Sequence, residues 1–395
     1  MKNDFTFTSE SVTEGHPDKV CDQISDAIVD HFLERDPYAR VIAECAVSTS
    51  IVFIAARFAS AVPVDFPNIA RRVIKRIGYE RPDFNATTCG ILTSLIELPL
   101  DEDSCFNEME LTDEEIERIP ARNQVTVFGF ACDQTAALMP LPIWLAHKLS
   151  KKISSVRSRK LLSYLAPEGK TDVAVEYHGG KPVRIGSITV TVSQNRREEP
   201  SLQRLREDIR QVVIGPVFEE EPIKPDTKTE IFINPEGTFH RGGPSVHSGL
   251  TGRKNAIDTY GEYSRHSGAA LSGKDPLRID RIGAYAARYA AKNIVAAGLA
   301  SQCEVQLTYS ISRSRPASIQ VETFGTGRIS DEKAALLLDR EIDFRLAGIV
   351  KKFNLRRPPG RTKGGFYQRL AAYGHVGRTD LDLPWEVTDK VEAFR

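Results

Sequence analysis

Three short segments of this 395-residue chain combine cations, carboxylates and glycine in a way that suits polyphosphate chemistry. In Ser272-Gly-Lys-Asp-Pro-Leu-Arg-Ile-Asp280, glycine permits backbone N–H groups to approach phosphate oxygens and Lys274 supplies a mobile positive charge. Asp275 or Asp280 offers a ligand for a hard divalent cation just where an alanine-rich helix begins. The same residues also suit a capped helix start behind a solvated loop, so the segment alone leaves both readings open. Gly15-His-Pro-Asp-Lys19 stands where a first helix begins: Pro17 fits its first turn, and Val20, Ile24, Ile28 and Phe32 recur at four-residue spacing to mark a buried face. His16 and Asp18 are thereby fixed at the positive end of a helix, either as anion or metal–anion contacts or as plain caps. Gly249-Leu-Thr-Gly-Arg-Lys254 presents an Arg–Lys pair from glycine turns, and Arg253 is shaped to grip a phosphate bidentately.

Elements able to position these segments follow one pattern, written three times. A helix at Pro17–Arg35 precedes strands Val41–Thr49 and Ile51–Phe58 and a helix over Val64–Ile77. A helix at Leu141–Val156 precedes Thr171–Tyr177 and Val183–Ser193, joined at Gly179-Gly180, and then Ser201–Val213. A helix at Ile282–Ala297 precedes Cys303–Ser312 and Ser318–Phe324, followed by a helical pattern over Asp331–Phe353. The hairpins are rich in β-branched residues, and the flanking segments recur at helical spacing. Three α-β-β-α units predict an α/β (α+β) fold of three pseudo-symmetric domains, each a small sheet packed against helices. The divisions fall at 1–100 for an N-terminal domain, 121–236 for a central one and 237–395 for a C-terminal one. Between the first two, residues 101–120 form an acidic segment that reads as a solvated loop with one helical turn or as an active-site lid.

Bulk composition removes several function classes. Lys plus Arg equals Asp plus Glu at 53 each, so no global field recommends nucleic acid or an anionic membrane as partner. Six cysteines without a C-x-x-C pair suit reduced thiols rather than a disulfide framework or a cysteine zinc site. The apolar runs Ile51–Ala56 and Ala136–Ala146 are too short or too broken by proline to span a bilayer, and the polar start lacks the pattern of a signal peptide. A soluble, cytoplasmic protein is expected.

The three segments, taken in order with Phe232-Ile-Asn-Pro235, Asp258-Thr-Tyr-Gly261 and Ala284-Tyr-Ala-Ala-Arg288, resemble the S-adenosylmethionine synthetase (methionine adenosyltransferase) family from about Phe7 to Pro384. The resemblance implies an enzyme that forms S-adenosylmethionine from ATP and L-methionine and cleaves the tripolyphosphate to phosphate and pyrophosphate. It also implies two Mg²⁺ per site, K⁺, and a homodimer or tetramer with active sites at the subunit interface. By motif match, His16 stands beside the C5′–oxygen bond, and His16, Lys170, Arg253 and Lys274 form the reacting set. Lys170, Arg253, Lys254, Lys274 and Asp275 face the tripolyphosphate, Asp18 and Asp280 each hold a Mg²⁺, and Glu44 holds K⁺. Phe239 packs on adenine, and Glu168 stands near the ribose where the family usually has aspartate.

The acceptor pocket implied by the resemblance comprises Glu10, Arg57, Leu98, Asn123, His247, Arg278 and Ile311. Here the sequence departs from the family pattern: two acids become Arg57 and His247, a third becomes Asn123, a lysine becomes Arg278, and a glutamine becomes Leu98. The family's Gly-Gly-Gly-Ala-Phe becomes Ser267-Gly-Ala-Ala-Leu271. Loss of one partner of a buried charge pair costs about 3–5 kcal/mol. Three alternatives to methionine adenosylation therefore stand: the same chemistry on a thioether lacking the ammonium, in a cationic pocket of Arg57, His247 and Arg278; a triphosphate hydrolase; or a non-catalytic ATP-binding partner. Retention of His16, Asp18, Lys170, Lys274 and Asp280 speaks against the last. His375, Trp144, Trp385 and Cys21 read as packing residues.

Overall fold

In the computed structural model, described for residues 4–99, 105–195 and 199–395, each expected unit is a hairpin with a helix before and after it. After β1 (Phe5–Val12), the first unit runs α1 (Pro17–Arg35), β2 (Arg40–Ser48), β3 (Ile51–Ala59), α2 (Phe66–Ile77). A two-residue hairpin, β4 (Glu80–Arg81) and β5 (Phe84–Asn85), then leads to β6 (Gly90–Glu97), α3 (Asp113–Arg118) and β7 (Val125–Cys132). The second unit is α4 (Leu141–Ser158), β8 (Leu165–His178), β9 (Lys181–Gln194), α5 (Leu202–Ile209), continuing into α6 (Gly215–Glu219), β10 (Glu230–Ile233), β11 (Gly249–Leu250) and α7 (Asn255–Asp258). The third is α8 (Ile279–Ala296), β12 (Gln302–Tyr309), β13 (Ser318–Glu322), α9 (Asp331–Glu341) and α10 (Leu346–Phe353). Gly179 and Gly180, at φ 57° and 76°, close the β8–β9 hairpin in a conformation that other residues adopt only under strain. Among the described residues, no helix is long and apolar enough to cross a membrane.

Each unit's sheet borrows a strand from elsewhere in the chain. The sheet orders are β1-β8-β9-β10, β11-β2-β3-β6 and β13-β12-β7. Strand β1 pairs antiparallel with β8 from Phe5↔Tyr177 to Val12↔Lys170, which sets Lys170 beside the turn that leads into His16. Strand β7 pairs with β12, and β11 with β2.

One expectation changes and another is refined. The helical pattern over Asp331–Phe353 is broken between α9 and α10, because the Asp343 carboxylate accepts the Arg345 N–H at 3.0 Å and restarts the chain at a new N-terminus. In the acidic segment, residues 100–104 lie outside the described residues. The remainder is largely exposed with one short helix, as the loop reading expects, but it is tied to the body of the protein at several points. A Thr112/Glu115 capping box starts α3, Glu117 accepts from Ser314 Oγ at 2.8 Å and pairs with Arg315 at 2.9 Å, and Asp113 pairs with Arg345 at 2.5 Å.

Helix α1 is buried on two sides. Val20, Ile24, Ile28 and Phe32 are fully buried, as their spacing predicts. The row Asp18, Asp22, Asp26 and Asp30 is buried as well, and each carboxylate accepts backbone N–H groups of a loop crossing the helix. Asp18 takes Leu250 at 3.0 Å, Asp22 takes Gly252 at 2.8 Å, Asp26 takes Gly273 at 2.8 Å, and Asp30 takes Tyr367 at 2.9 Å and Gln368 at 2.8 Å. Lys19 offsets Asp22 at 2.9 Å and also pairs with Asp258, while Arg281 offsets Asp26 at 2.6 Å. The glycines of the two loops therefore serve a purpose other than phosphate approach. The Gly252 and Gly273 amides are spent on aspartates. A Cβ on Gly249 would lie 2.2 Å from the Pro17 carbonyl carbon, and one on Gly273 2.0 Å from the Ala43 oxygen. Glycine here lets the loops lie directly on α1 and β2.

Helix α4 holds His147, whose Nδ1 lies 2.8 Å from Ser11 Oγ. Burial pushes its pKa from 6.5 down to about 3. On acidification through that window the unfolded chain binds a proton that the native state does not, so His147 costs stability as pH falls. His147→Gln should flatten the slope of unfolding free energy against pH by up to about 1.4 kcal/mol per unit between about pH 6 and about pH 4. Denaturant titrations at several pH values check this, and an unchanged slope would mean the native ring takes up its proton.

Candidate active site

The first group of site residues gathers where α1 begins. His16 is the N-cap of α1, and its Nδ1 accepts the Asp18 N–H at 3.2 Å. A ring that accepts at Nδ1 while neutral carries its proton on Nε2. Burial, helped by the charge of Lys254, holds the His16 pKa down at about 3, so the ring is neutral and Nε2–H is a donor at ordinary pH. Asp18 Oδ1 accepts the Leu250 N–H and pairs with Arg253 Nε at 2.9 Å. Its Oδ2 is buried without a hydrogen-bond partner, an oxygen that could serve a hard cation.

Cations surround this corner. Glu10 on β1 pairs with Lys170 on β8 and with Lys254 Nζ at 2.9 Å. Burial opposes charge on Lys170, but the Glu10 hydrogen bond and charge outweigh it and hold the ammonium above its usual value. Burial likewise opposes the charge on Glu10, and its two lysines prevail and lower its pKa. Glu10 thus pins the two lysines. Arg253 also donates from Nη2 to the Ser248 carbonyl at 2.7 Å. Glu168, 6 % exposed, accepts the Gly243 N–H and lies 2.6 Å from His247 Nε2, a contact that raises the His247 pKa. Phe239, half-buried, accepts the Gln194 N–H through its carbonyl at 2.9 Å at the end of β9.

A second group sits where α8 begins. Lys274 bridges to Ile42 on β2, and its Nζ lies 3.3 Å from Asp280 Oδ1. Burial holds the Lys274 pKa below its usual value. Asn123 donates through Nδ2 to both Asp280 oxygens at 3.0 Å. Asp275 spends both oxygens on backbone, accepting Val41 N–H and Leu277 N–H at 2.8 Å each, and Arg278 Nε stands 3.5 Å away. Glu44, exposed on the outward face of β2, acts electrostatically on Lys274.

Within one chain the two groups lie apart. Gly249 pairs with Val47 and Lys274 with Ile42. Those partners are five residues apart on β2, about 17 Å along the strand. Arg57, Leu98 and Ile311 join neither group: Arg57 is exposed on β3, Leu98 is exposed where its N–H reaches the Phe58 carbonyl at 2.7 Å, and Ile311 is exposed beyond β12. His247 is bound to Glu168, so its ring is already paired within the chain.

Sequence reasoning missed the positioning residues. Asp22, Asp26 and Arg281 hold the two cationic loops, Arg281 Nη1 donating to the Lys274 carbonyl at 2.7 Å, and the Tyr79 hydroxyl donates to the Gly15 carbonyl. The row of aspartates at four-residue spacing on a helix carrying polar motifs was the available signal. His375, Trp385 and Cys21 are buried. His375 Nδ1 and Tyr285 Oη are hydrogen-bonded at 2.8 Å, and Trp385 stacks on Tyr285 at 3.9 Å.

Comparison with known proteins places three consecutive family profiles on the chain. Residues 4–98 match the S-adenosylmethionine synthetase N-terminal domain, 118–239 the central domain and 241–387 the C-terminal domain. The chain is similar over its whole length to curated S-adenosylmethionine synthases. It is 48% identical to that of Gloeothece citriformis and to that of Trichormus variabilis, and 46% identical to that of Trichodesmium erythraeum. In each case 100% of this chain and 97% of the relative are covered.

Proposed function

The chain belongs to the S-adenosylmethionine synthetase family, and from that premise we propose how its own residues form S-adenosylmethionine from ATP and L-methionine. The reaction joins the methionine sulfur to C5′ of ATP, expels tripolyphosphate and cleaves it to phosphate and pyrophosphate. Full-length likeness to curated S-adenosylmethionine synthases favours methionine over another thioether and over triphosphate hydrolysis alone.

The hard step is departure of a highly charged leaving group, so stabilisation must be preorganised along it. Lys170, Arg253 and Lys254 provide that charge at one end and Lys274 at the other. His16 contributes a neutral donor: its Nε2–H meets the leaving oxygen as negative charge develops there. Phe239 covers the adenine and Glu168 faces the ribose. Glu10 acts through Lys170 and Lys254, which it holds in place.

The family requires metal ions. The orphaned Oδ2 of Asp18, and an Asp280 carboxylate whose partners among the described residues are Asn123 and Lys274, fit two Mg²⁺ per site, and Glu44 is the candidate for K⁺. Bound there, Mg²⁺ neutralises charge on the phosphate chain.

The observation that carries this reading is the separation of two cationic half-sites beside an open apolar sheet face. Phe53, Leu92 and Ile96 share that face with exposed Ile51 and Leu250, and Glu44 and Arg57 stand among them. A second copy of the chain on this face, related by a two-fold axis, would cover it and bring the His16 half of each copy to the Lys274 half of the other. Mixing His16→Ala and Lys274→Ala subunits tests this. Each homodimer loses both sites, whereas a heterodimer keeps one site with both halves intact, so an equal, re-equilibrated mixture should recover about a quarter of wild-type activity. No recovery in demonstrably mixed dimers would place a whole site in each chain.

A further inference from the structure

We propose that His16, Glu168 and His247 form a transition-metal site of the Zn²⁺ class in the nucleotide-free protein, distinct from the hard-cation positions. One ligand atom from each of the three lies within 4.8 Å of the others. Two imidazoles and one carboxylate match the donor preference of Zn²⁺ and its neighbours, whereas Mg²⁺ prefers oxygen and water.

The parts of the site are already oriented. Glu168 is buried and fixed through Oε2 by the Gly243 N–H, which leaves Oε1 toward His247 Nε2 at 2.6 Å. The His16 and His247 rings have centroids 5.1 Å apart and are tilted at 57°, so they converge without stacking. Asp18 Oδ2, buried and without a hydrogen-bond partner, lies 3.6 Å from His16 Nδ1. A metal on Nε2 moves the ring proton to Nδ1, which then gives up the Asp18 N–H it accepts in the empty site and donates to Asp18 Oδ2 instead. Zn–N bonds of about 2.0–2.1 Å require ligand atoms about 3.3 Å apart, so modest closure is needed. His247 supplies it, because its side chain is 38% exposed and rides on the loop after Gly243. The nearby cations do not forbid a metal, since Lys254 is paired with Glu10 and Arg253 with Asp18.

Occupation withdraws His16 from the nucleotide, so Zn²⁺ should inhibit reversibly and a chelator should restore activity. Direct binding is read without any turnover, so the result stands apart from whether the chain adenosylates methionine. Co²⁺ titrated into the nucleotide-free, full-length protein should give an intense visible d–d band saturating at one equivalent. His247→Ala and Glu168→Gln should each weaken that binding at least about 100-fold, the upper end of the effect of losing even a supporting group. Absence of the band, or a band unchanged in both variants, would overturn the site.

Discussion

His16→Ala should lower the turnover number for S-adenosylmethionine formation by about 10²–10³-fold, or about 2.7–4 kcal/mol, the usual consequence of deleting one preorganised donor at a developing negative charge. The argument rests on protonation state. Because burial holds the ring near pKa 3, His16 works as a neutral donor, and the loss should be similar across the neutral pH range. The side chain also caps α1, but loss of a cap costs only about 1 kcal/mol of stability. The variant should therefore fold and still hydrolyse added tripolyphosphate, whose cations are intact. Initial rates at saturating ATP and methionine, with phosphate release from tripolyphosphate measured beside them, separate the two functions. A loss below tenfold would remove His16 from the bond-breaking step.

Asp26→Ala should destabilise the protein by about 3–5 kcal/mol, because it leaves Arg281 as an unpaired charge with no exposure. The same change strips the Gly273 N–H of its acceptor. Arg281 also donates to the Lys274 carbonyl, so the loop carrying Lys274 loses its anchor. Asp26→Asn keeps an acceptor for Gly273 and loses only the charge, so it should fall between wild type and alanine. Equilibrium denaturant unfolding checks both variants. A cost under about 1 kcal/mol for alanine would show that Arg281 finds another partner, and that the aspartate row is less of an anchor than its burial implies.

Much of the fold was legible because local signals agreed with the final packing. Pro17 and the run Val20, Ile24, Ile28, Phe32 fixed α1, and β-branched hairpins flanked by helical periods marked the three units. Pairing between distant segments was not legible. Nothing in Phe5–Val12 states that its partner is Leu165–His178, or that Val125–Cys132 joins β12, since strand propensity carries no address. The burial of the aspartate row of α1 was not legible, because burial of charge is decided by which loops cross the helix and by the placement of Lys19 and Arg281. The break at Asp343 was hidden inside a continuous helical period, where a side chain-to-backbone hydrogen bond outcompetes propensity.

The site was legible as a set of residue types and less so as geometry. The segments around His16, Arg253 and Lys274 pointed to polyphosphate chemistry, yet their glycines proved to be packing devices and Asp275 pins its own loop. That Glu10 holds Lys170 and Lys254, and that His247 pairs with Glu168, depends on β1 lying against β8 and on the Gly243 turn. Neither contact has a signature in local sequence.

Mass spectrometry of the products formed from ATP and L-methionine with Mg²⁺ and K⁺, with phosphate and pyrophosphate quantified in parallel, tests the central claim most directly. S-adenosylmethionine over many turnovers, with one phosphate and one pyrophosphate for each molecule formed, is the expected result. Phosphate release with no adenosylated methionine would contradict it, and would mean that the changes at Arg57, Asn123 and His247 have removed methionine from this site.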